Sequence, residues 1–200
     1  MRRFIVFALI FLSLFSLSAK PELWFGANFL ADRNIISDSV KENFPNFSEG
    51  FKHIKSIGPG LEVSFFPFDQ VRIGAFAASH TVFPIGYLNS SDNVSGYKIR
   101  NMEYRQDLSA GIAYNQLFGS WGFFSTVAYN WSWYKVAKTN VANNKTDPGF
   151  NRFSENGISA ELGLLAVYDK SYFKFGFSYS HMLSNGGNRV VLFCGGGARI

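Results

Sequence analysis

The sequence is poor in cysteine and in charge, and it lacks a long apolar run outside its first residues. Cys194 is the only cysteine among 200 residues, so no intramolecular disulfide can form. Charged residues make up 16% of the chain, where roughly 25% is usual in soluble domains. After the N-terminal segment, no stretch approaches the about 20 consecutive apolar residues that a membrane helix needs. These shortages exclude a disulfide-stabilised fold and a helical membrane protein.

Motifs for metals, cofactors and nucleic acids are also missing. The chain has three histidines, no HExxH motif, no paired cysteines and no acidic loop with calcium spacing. Gly195–Gly197 end the chain instead of opening a helix, so they do not form a phosphate-binding loop. Basic residues are not clustered in the way that nucleic-acid binding requires. We therefore expect no metal, no cofactor and no nucleic-acid partner.

Aromatic residues, in contrast, are abundant. They make up 18% of the chain and include 23 phenylalanines, while the mean hydropathy is only +0.02. This composition excludes a disordered protein, and the length suits one domain. An aromatic-rich chain of neutral hydropathy must distribute its apolar residues in a regular pattern.

The first 19 residues form a predicted signal peptide. Met1–Arg3 is a short basic region, Phe4–Phe15 is almost wholly apolar, and Ser16–Ala19 supplies small residues for cleavage. This order is typical of a secretory signal peptide, and its apolar run is too short for a comfortable membrane span. Without Arg2 and Arg3, the remaining 17 Lys and Arg exceed the 14 Asp and Glu by three. Residues 20–200 are then the exported fold.

Most of the remaining chain alternates with period two, which predicts β-strands with two different faces. In Tyr172–Met182, for example, the residues Phe173, Phe175 and Phe177 share one face and alternate with Lys174, Gly176 and Ser178. Seven clear strands are predicted, at Pro21–Ala31, Pro59–Phe66, Gln70–His80, Glu103–Asn115, Trp121–Lys135, Gly157–Tyr168 and Tyr172–Met182. An eighth, at Arg189–Ile200, has a phase that the pattern leaves open.

The connections between these strands alternate between short and long. Short turns rich in Pro, Gly, Asp and Asn alternate with long polar loops near 32–56, 81–102 and 136–156. Tight turns at one end and long loops at the other are typical of outer-membrane barrels.

The polar face of the strands consists mainly of small residues with single charges. Small residues suit a narrow, crowded barrel interior. The charges on this face are balanced between acids and bases, as buried charges must be. The predicted lumen network consists of Glu62, Arg72, Arg105, Asp107, Glu161 and Lys174. The alternative is that these residues are ordinary solvated surface charges.

The apolar face carries no charge between its ends in the seven clear strands, and aromatic residues lie near those ends. Tyr and Trp favour the membrane–water boundary, because the ring is apolar and its edge still forms hydrogen bonds. The predicted membrane-interface aromatics are Phe65, Phe68, Tyr114, Trp131 and Trp133. A secreted lipocalin-like barrel, whose interior is apolar, is the alternative.

Together, the signal peptide and the hairpin Pro59–Ala77, with its Phe-Pro-Phe-Asp turn, carry a family resemblance. The chain resembles small outer-membrane β-barrels of the OmpX, OmpA transmembrane-domain and opacity-protein type. The resemblance implies an all-β fold, a closed antiparallel eight-stranded transmembrane barrel with up-and-down topology, over residues 20–200. One departure is the C-terminal Ile200, since such proteins usually end in an aromatic residue.

An eight-stranded barrel has an interior just wide enough for side chains, so we expect a plugged lumen. The predicted function is a structural or adhesin-like surface role, carried by the long loops, in the bacterial outer membrane. The expected partners are outer-membrane lipids, the barrel-assembly machinery and an extracellular ligand of the loops, and the protein is expected to be a monomer. The alternative is a passive carrier or narrow channel for small or hydrophobic molecules.

An enzyme was also weighed, because Ser180–Gly186 loosely resembles the His-x-Ser-Asn segment of lipid A deacylase barrels. A catalytic serine needs a histidine in hydrogen-bond contact, itself oriented by a carboxylate. His181 and Ser184 are three residues apart and so lie on opposite faces of a strand, and no Asp or Glu follows Asp169. We therefore predict no catalytic residues and no enzymatic activity.

Overall fold

The computed structural model describes residues 20–35, 53–68, 72–85, 97–140, 146–184 and 186–200, and it contains eight β-strands. In chain order they are β1 (Glu22–Ile35), β2 (His53–Phe66), β3 (Ile73–Pro84), β4 (Tyr97–Phe118), β5 (Trp121–Asn140), β6 (Thr146–Tyr168), β7 (Ser171–Met182) and β8 (Asn188–Arg199). No helix among the described residues has the length and apolarity to cross a membrane.

The eight strands form one closed barrel. Every strand pairs antiparallel with the next, and β1 closes the sheet against β8 from Trp24↔Arg199 to Ile35↔Asn188. Closure pairs both edges that an open sheet would leave exposed. The predicted closed, antiparallel, eight-stranded up-and-down barrel is therefore confirmed.

Side-chain alternation separates an inner face from an outer face. In β7 the burial alternates without a break, with Lys174 and Ser178 buried inside and Phe173 and Phe175 exposed outside. The same alternation continues in β8, where Arg189, Val191 and Phe193 are buried. Pairing with β1 and β7 thus gives the last strand the phase that the sequence pattern had left open.

Aromatic rings fill the barrel interior near the short turns. Trp24 lies 4.9 Å from Tyr172 and 5.7 Å from Phe66, measured between ring centroids. Phe124 and Phe193 form a second pair at 5.8 Å. Large rings next to small residues fill the narrow interior to the density of a protein core.

Close strand approach depends on glycine at Gly111. A Cβ atom at this position would lie 2.0 Å from the carbonyl oxygen of Val127 on the neighbouring strand. The tight turns have their own requirement, since Gly119 and Asp169 have φ values of 70° and 49°. Glycine adopts positive φ freely, and Asp is among the few other residues that tolerate it.

Strands β4, β5 and β6 are longer than the sequence pattern predicts. They span 22, 20 and 23 residues, against 12 to 14 for the other strands. The predicted loops near 81–102 and 136–156 are therefore too long, because much of each is strand. The predicted loop near 32–56 also begins and ends inside strands, with residues 36–52 outside the described part.

Register shifts explain why the long strands escaped the sequence pattern. The β4–β5 ladder shifts between Ile99 and Asn101 and again between Met102 and Tyr104, and the β5–β6 ladder shifts between Val136 and Lys138. Each irregularity interrupts the period of two on which strand prediction depends. The predicted signal peptide at residues 1–19 lies outside the described residues.

Candidate functional site

The barrel interior holds a buried ion cluster on the side of the long connections, centred on Arg105. The Arg105 side chain is 1% exposed, and its Nε donates to both carboxylate oxygens of Asp107 at 2.9 Å. Its Nη2 also donates to Asp32 on β1. One guanidinium thus joins strands on different sides of the barrel.

Arg189 on β8 is the second cation of this cluster. Its Nη1 lies 3.2 Å from Asp107 Oδ1, and its Nη2 donates to Ser132 Oγ at 3.0 Å and to the Tyr134 hydroxyl at 3.1 Å. The Tyr134 hydroxyl in turn donates to Glu155 Oε2 at 2.6 Å. We call this set the upper cluster; it consists of Asp32, Arg105, Asp107, Tyr134, Glu155 and Arg189.

A second cluster lies deeper in the barrel and is built on Lys174. Lys174 pairs with Glu62, which also accepts hydrogen bonds from the Asn28 amide and the Tyr172 hydroxyl, both at 3.0 Å. The ammonium lies 5.0 Å from the ring centroid of Phe124, within cation–π range. We call this set the lower cluster; it consists of Asn28, Glu62, Tyr172 and Lys174.

Between the two clusters lies a polar cavity of about 40 Å³. Asn130 is on its wall and accepts hydrogen bonds at Oδ1 from Ser109 at 2.7 Å and from Ser159 at 3.2 Å. Glu161 also lines it, and its Oε2 has no hydrogen-bond partner among the described residues. A cavity of this size holds a few water molecules and is far too small to be a continuous pore.

The six residues of the predicted lumen network all lie on inward-facing positions, but they do not form one cluster. Arg105 and Asp107 belong to the upper cluster, and Glu62 and Lys174 belong to the lower cluster. Glu161 lines the cavity between them. Arg72 lies apart, at the short-turn mouth, 3.8 Å from Glu22, and about a quarter of its side chain is exposed.

Three ionised members of the upper cluster were missed by the sequence analysis. Asp32 and Glu155 had been placed in long loops, and the phase of the strand that carries Arg189 had been left open. A usable signal existed for Asp32, because it continues the period of two that places Asn28 inside. For Glu155 the same holds with Ser159 as the reference.

The outer face of the barrel is an apolar belt. Among the described side chains, the outward positions of the strands carry no charge between the two ends of the belt. Of the predicted interface aromatics, Phe65, Trp131 and Trp133 are exposed on this face, and Phe68 and Tyr114 are half-buried. The short-turn end adds three exposed aromatics that were not predicted there, Phe118, Trp121 and Tyr168.

The residues of the weighed hydrolase motif lie apart from each other. His181 Nδ1 is 3.0 Å from Asn188 Oδ1, which also accepts a 2.7 Å hydrogen bond from the Tyr179 hydroxyl. Ser184 Oγ accepts from the backbone N–H of Asn156 at 3.2 Å. Within the described ranges, no group of three or more His, Cys, Asp or Glu side chains could hold a metal ion.

A closed eight-stranded barrel with buried charges inside and an apolar belt outside defines the fold of small outer-membrane barrels, so the predicted resemblance is confirmed. Two solved structures are similar to this chain. One is Ail, the attachment invasion locus protein of Yersinia pestis, with a TM-score of 0.56 and 10% identity, over 90% of this chain and 99% of Ail. The other is Neisserial surface protein A, with a TM-score of 0.59 and 10% identity, over 89% and 96% of the two chains. No protein-family model and no curated protein matches the sequence.

Proposed function

We propose that the chain is an outer-membrane barrel with a plugged lumen that acts at the cell surface through its long-connection end. The observation that carries this proposal is the inside-out distribution of polarity. Leu61 is 68% exposed and Leu164 is 62% exposed, whereas Arg105 is fully buried. A soluble barrel places its apolar face inside, and soluble monomers rarely expose apolar patches larger than a few hundred Å². A lipid bilayer is the solvent that suits an apolar outer belt.

The plugged lumen is supported by the two ion clusters, which cross the interior on either side of a cavity of about 40 Å³. A passive channel or carrier would need to break both clusters to open a path. Single-channel recording in planar bilayers tests this point. We expect no defined conductance steps, and regular steps in the wild-type protein would show that the lumen conducts.

The surface role is supported by a sheet that extends beyond the barrel. The β3–β4 ladder ends at Val82↔Arg105 and the β6–β7 ladder ends at Gly157↔Met182, so β4, β5 and β6 continue past their neighbours. Residues 97–104 of β4 add about 26 Å of strand, at about 3.3 Å per residue. We call the part formed by residues 97–104, 135–140 and 146–156 the β4–β6 extension.

The β4–β6 extension offers two features for a partner. No described strand pairs with its outer edges on β4 and β6, and an edge of this kind can add a strand from another chain. Its sequence is also more basic than acidic: Lys98, Arg100, Lys135, Lys138 and Arg152 stand against Glu103, Asp147 and Glu155. The similar Ail protein was also solved in complex with the heparin analogue sucrose octasulfate, with a TM-score of 0.55 to this chain. A sulfated glycan is therefore the first probe for this surface.

Adhesion of cells to immobilised heparin tests the surface role. Cells that produce the wild-type chain are compared with cells that produce a variant in which 88–103 and 137–152 are replaced by short Gly-Ser turns. A matched control shortens 37–51 instead and keeps the β4–β6 extension. We expect several-fold weaker adhesion for the first variant alone, with both variants assembled as barrels. Equal adhesion by all three would contradict a role for the extension in binding this glycan.

The C-terminal residue bears on assembly, for which the barrel-assembly machinery is the proposed partner. Ile200 exchanges backbone hydrogen bonds with Leu23 at 2.8 and 2.9 Å, and its side chain is exposed on the outer face. It therefore occupies the closing position of the barrel with an apolar side chain, although not an aromatic one.

A further inference from the structure

Two basic residues face each other at the end of the apolar belt on strands β1 and β2. Arg33 and Lys55 are direct register partners, and both side chains are exposed on the outer face. Directly opposed side chains in an antiparallel pair have Cβ atoms about 5 Å apart, and like charges at this distance destabilise the sheet. The pair would therefore be relieved by an anion bound between the two side chains.

No acid on this surface supplies that anion among the described side chains. The outward neighbours of the pair are apolar, namely Val190 on β8 and Ile85 beyond β3. Asp32, next to Arg33 in sequence, points inward and is occupied by Arg105. Within the described residues, neither Arg33 nor Lys55 has an ion pair or a side-chain hydrogen bond.

The height of the pair matches the boundary of a bilayer. Below it, five successive outward pairs from Ala31↔Ile57 down to Leu23↔Phe65 contain only apolar residues. The pair stands ten residues above Leu23 along β1, which is about 33 Å of strand or about 25 Å of height at a tilt of about 40°. An apolar belt of about 25 Å is typical of outer-membrane barrels. Lipid phosphates lie at this level.

An apolar groove continues from this strip across the outer face. It has a volume of about 580 Å³, and its lining includes Phe25, Leu61, Val63, Ala77, Ala110 and Trp131. The small side chains of Ala77 and Ala110 form its floor, while Leu61 and Trp131 are exposed at its sides. A groove of this size and character accommodates the alkyl chain of a lipid.

We propose that Arg33 and Lys55 bind the phosphate of an anionic membrane lipid whose alkyl chain lies along the β1–β2 strip toward this groove. Arg binds phosphate oxygens through two parallel N–H groups, and Lys adds a point charge. The site rests on the membrane placement proposed above, and it assigns a lipid class to one sector of the barrel wall.

The test uses the full chain reconstituted into phosphatidylcholine vesicles that contain brominated phosphatidylglycerol. Bromine quenches the fluorescence of a nearby tryptophan, and Trp131 lies in the groove wall. The relative affinity of phosphatidylglycerol over phosphatidylcholine is measured for the wild type, for R33S/K55S, and for K20S/K170S, which removes the same charge near the short-turn end. Inorganic phosphate at millimolar concentration is added in a separate arm.

We expect the relative affinity to fall about fivefold for each removed cation in R33S/K55S and to stay unchanged in K20S/K170S and with added phosphate. An equal affinity in the wild type and R33S/K55S, or an equal loss in both variants, would overturn the site. Full competition by inorganic phosphate would show a free-anion site and not a lipid site. If the wild type does not insert into vesicles, the membrane placement itself is wrong.

Discussion

Substitution of Arg105 by methionine tests whether the upper cluster holds the barrel together. Methionine keeps much of the side-chain volume but removes the charge and the hydrogen bonds to Asp32 and Asp107. Asp107 keeps its contact with Arg189 at 3.2 Å, while Asp32 has no other printed ion pair to share its buried charge. Breaking a buried ion pair on one side costs about 3–5 kcal/mol. We expect R105M to lower the free energy of unfolding by an amount in this range.

A double-mutant cycle shows whether the loss comes from the stranded carboxylate. In R105M/D32N the uncompensated charge on residue 32 is gone, so the double variant should be more stable than the sum of the two single effects by at least about 1 kcal/mol. The exposed turn variant K170M serves as a control and should change stability by no more than about 0.5 kcal/mol. Urea unfolding in lipid vesicles, followed by the gel mobility of unheated samples, measures all four proteins. A stability loss in R105M no larger than in K170M would refute the reasoning.

Three further substitutions test the interior, the strand contacts and the outer belt. Y134F removes the hydroxyl that donates to the buried Glu155 carboxylate, so unfolding in urea should show a loss of about 1–3 kcal/mol; no loss would contradict the assigned hydrogen bond. G111A places a Cβ atom 2.0 Å from the Val127 carbonyl oxygen and should cost about 1–3 kcal/mol, whereas A110G on the outer face should cost less; the reverse order would contradict the close approach. L61R puts a charge in the middle of the belt and should cost about 2–4 kcal/mol in a bilayer, while L183R in the exposed turn should not; equal stabilities would indicate that the belt does not face lipid.

The fold was accessible from the sequence because the strands within the belt face two different environments. Residues such as Phe173, Phe175 and Phe177 meet the outside, and Lys174 and Ser178 meet the packed interior, so period two is imposed on the sequence. Tight turns at Gly119 and Asp169 mark where strands end. These local constraints predicted strand number, order and phase for seven of the strands.

The long strand ends and the full ion clusters were not accessible in the same way. Beyond the belt, both faces of a strand meet similar surroundings, and register shifts near Ile99 and Val136 break the period. Asp32 and Glu155 were therefore assigned to loops, although the barrel places both in the upper cluster. Which acid meets which base is decided by register across distant strands, as for Asp32 and Arg105, and a single-sequence pattern contains no information on such pairs.

Membrane fractionation of cells that produce the chain tests the central claim, that the apolar outer face contacts lipid. Inner and outer membranes are separated on a density gradient, the periplasm is collected apart, and the protein is followed in unheated and heated gel samples. The account predicts a protein that remains with the outer membrane after a high-salt wash and that changes mobility on heating. Recovery of the protein in the soluble periplasmic fraction would contradict it.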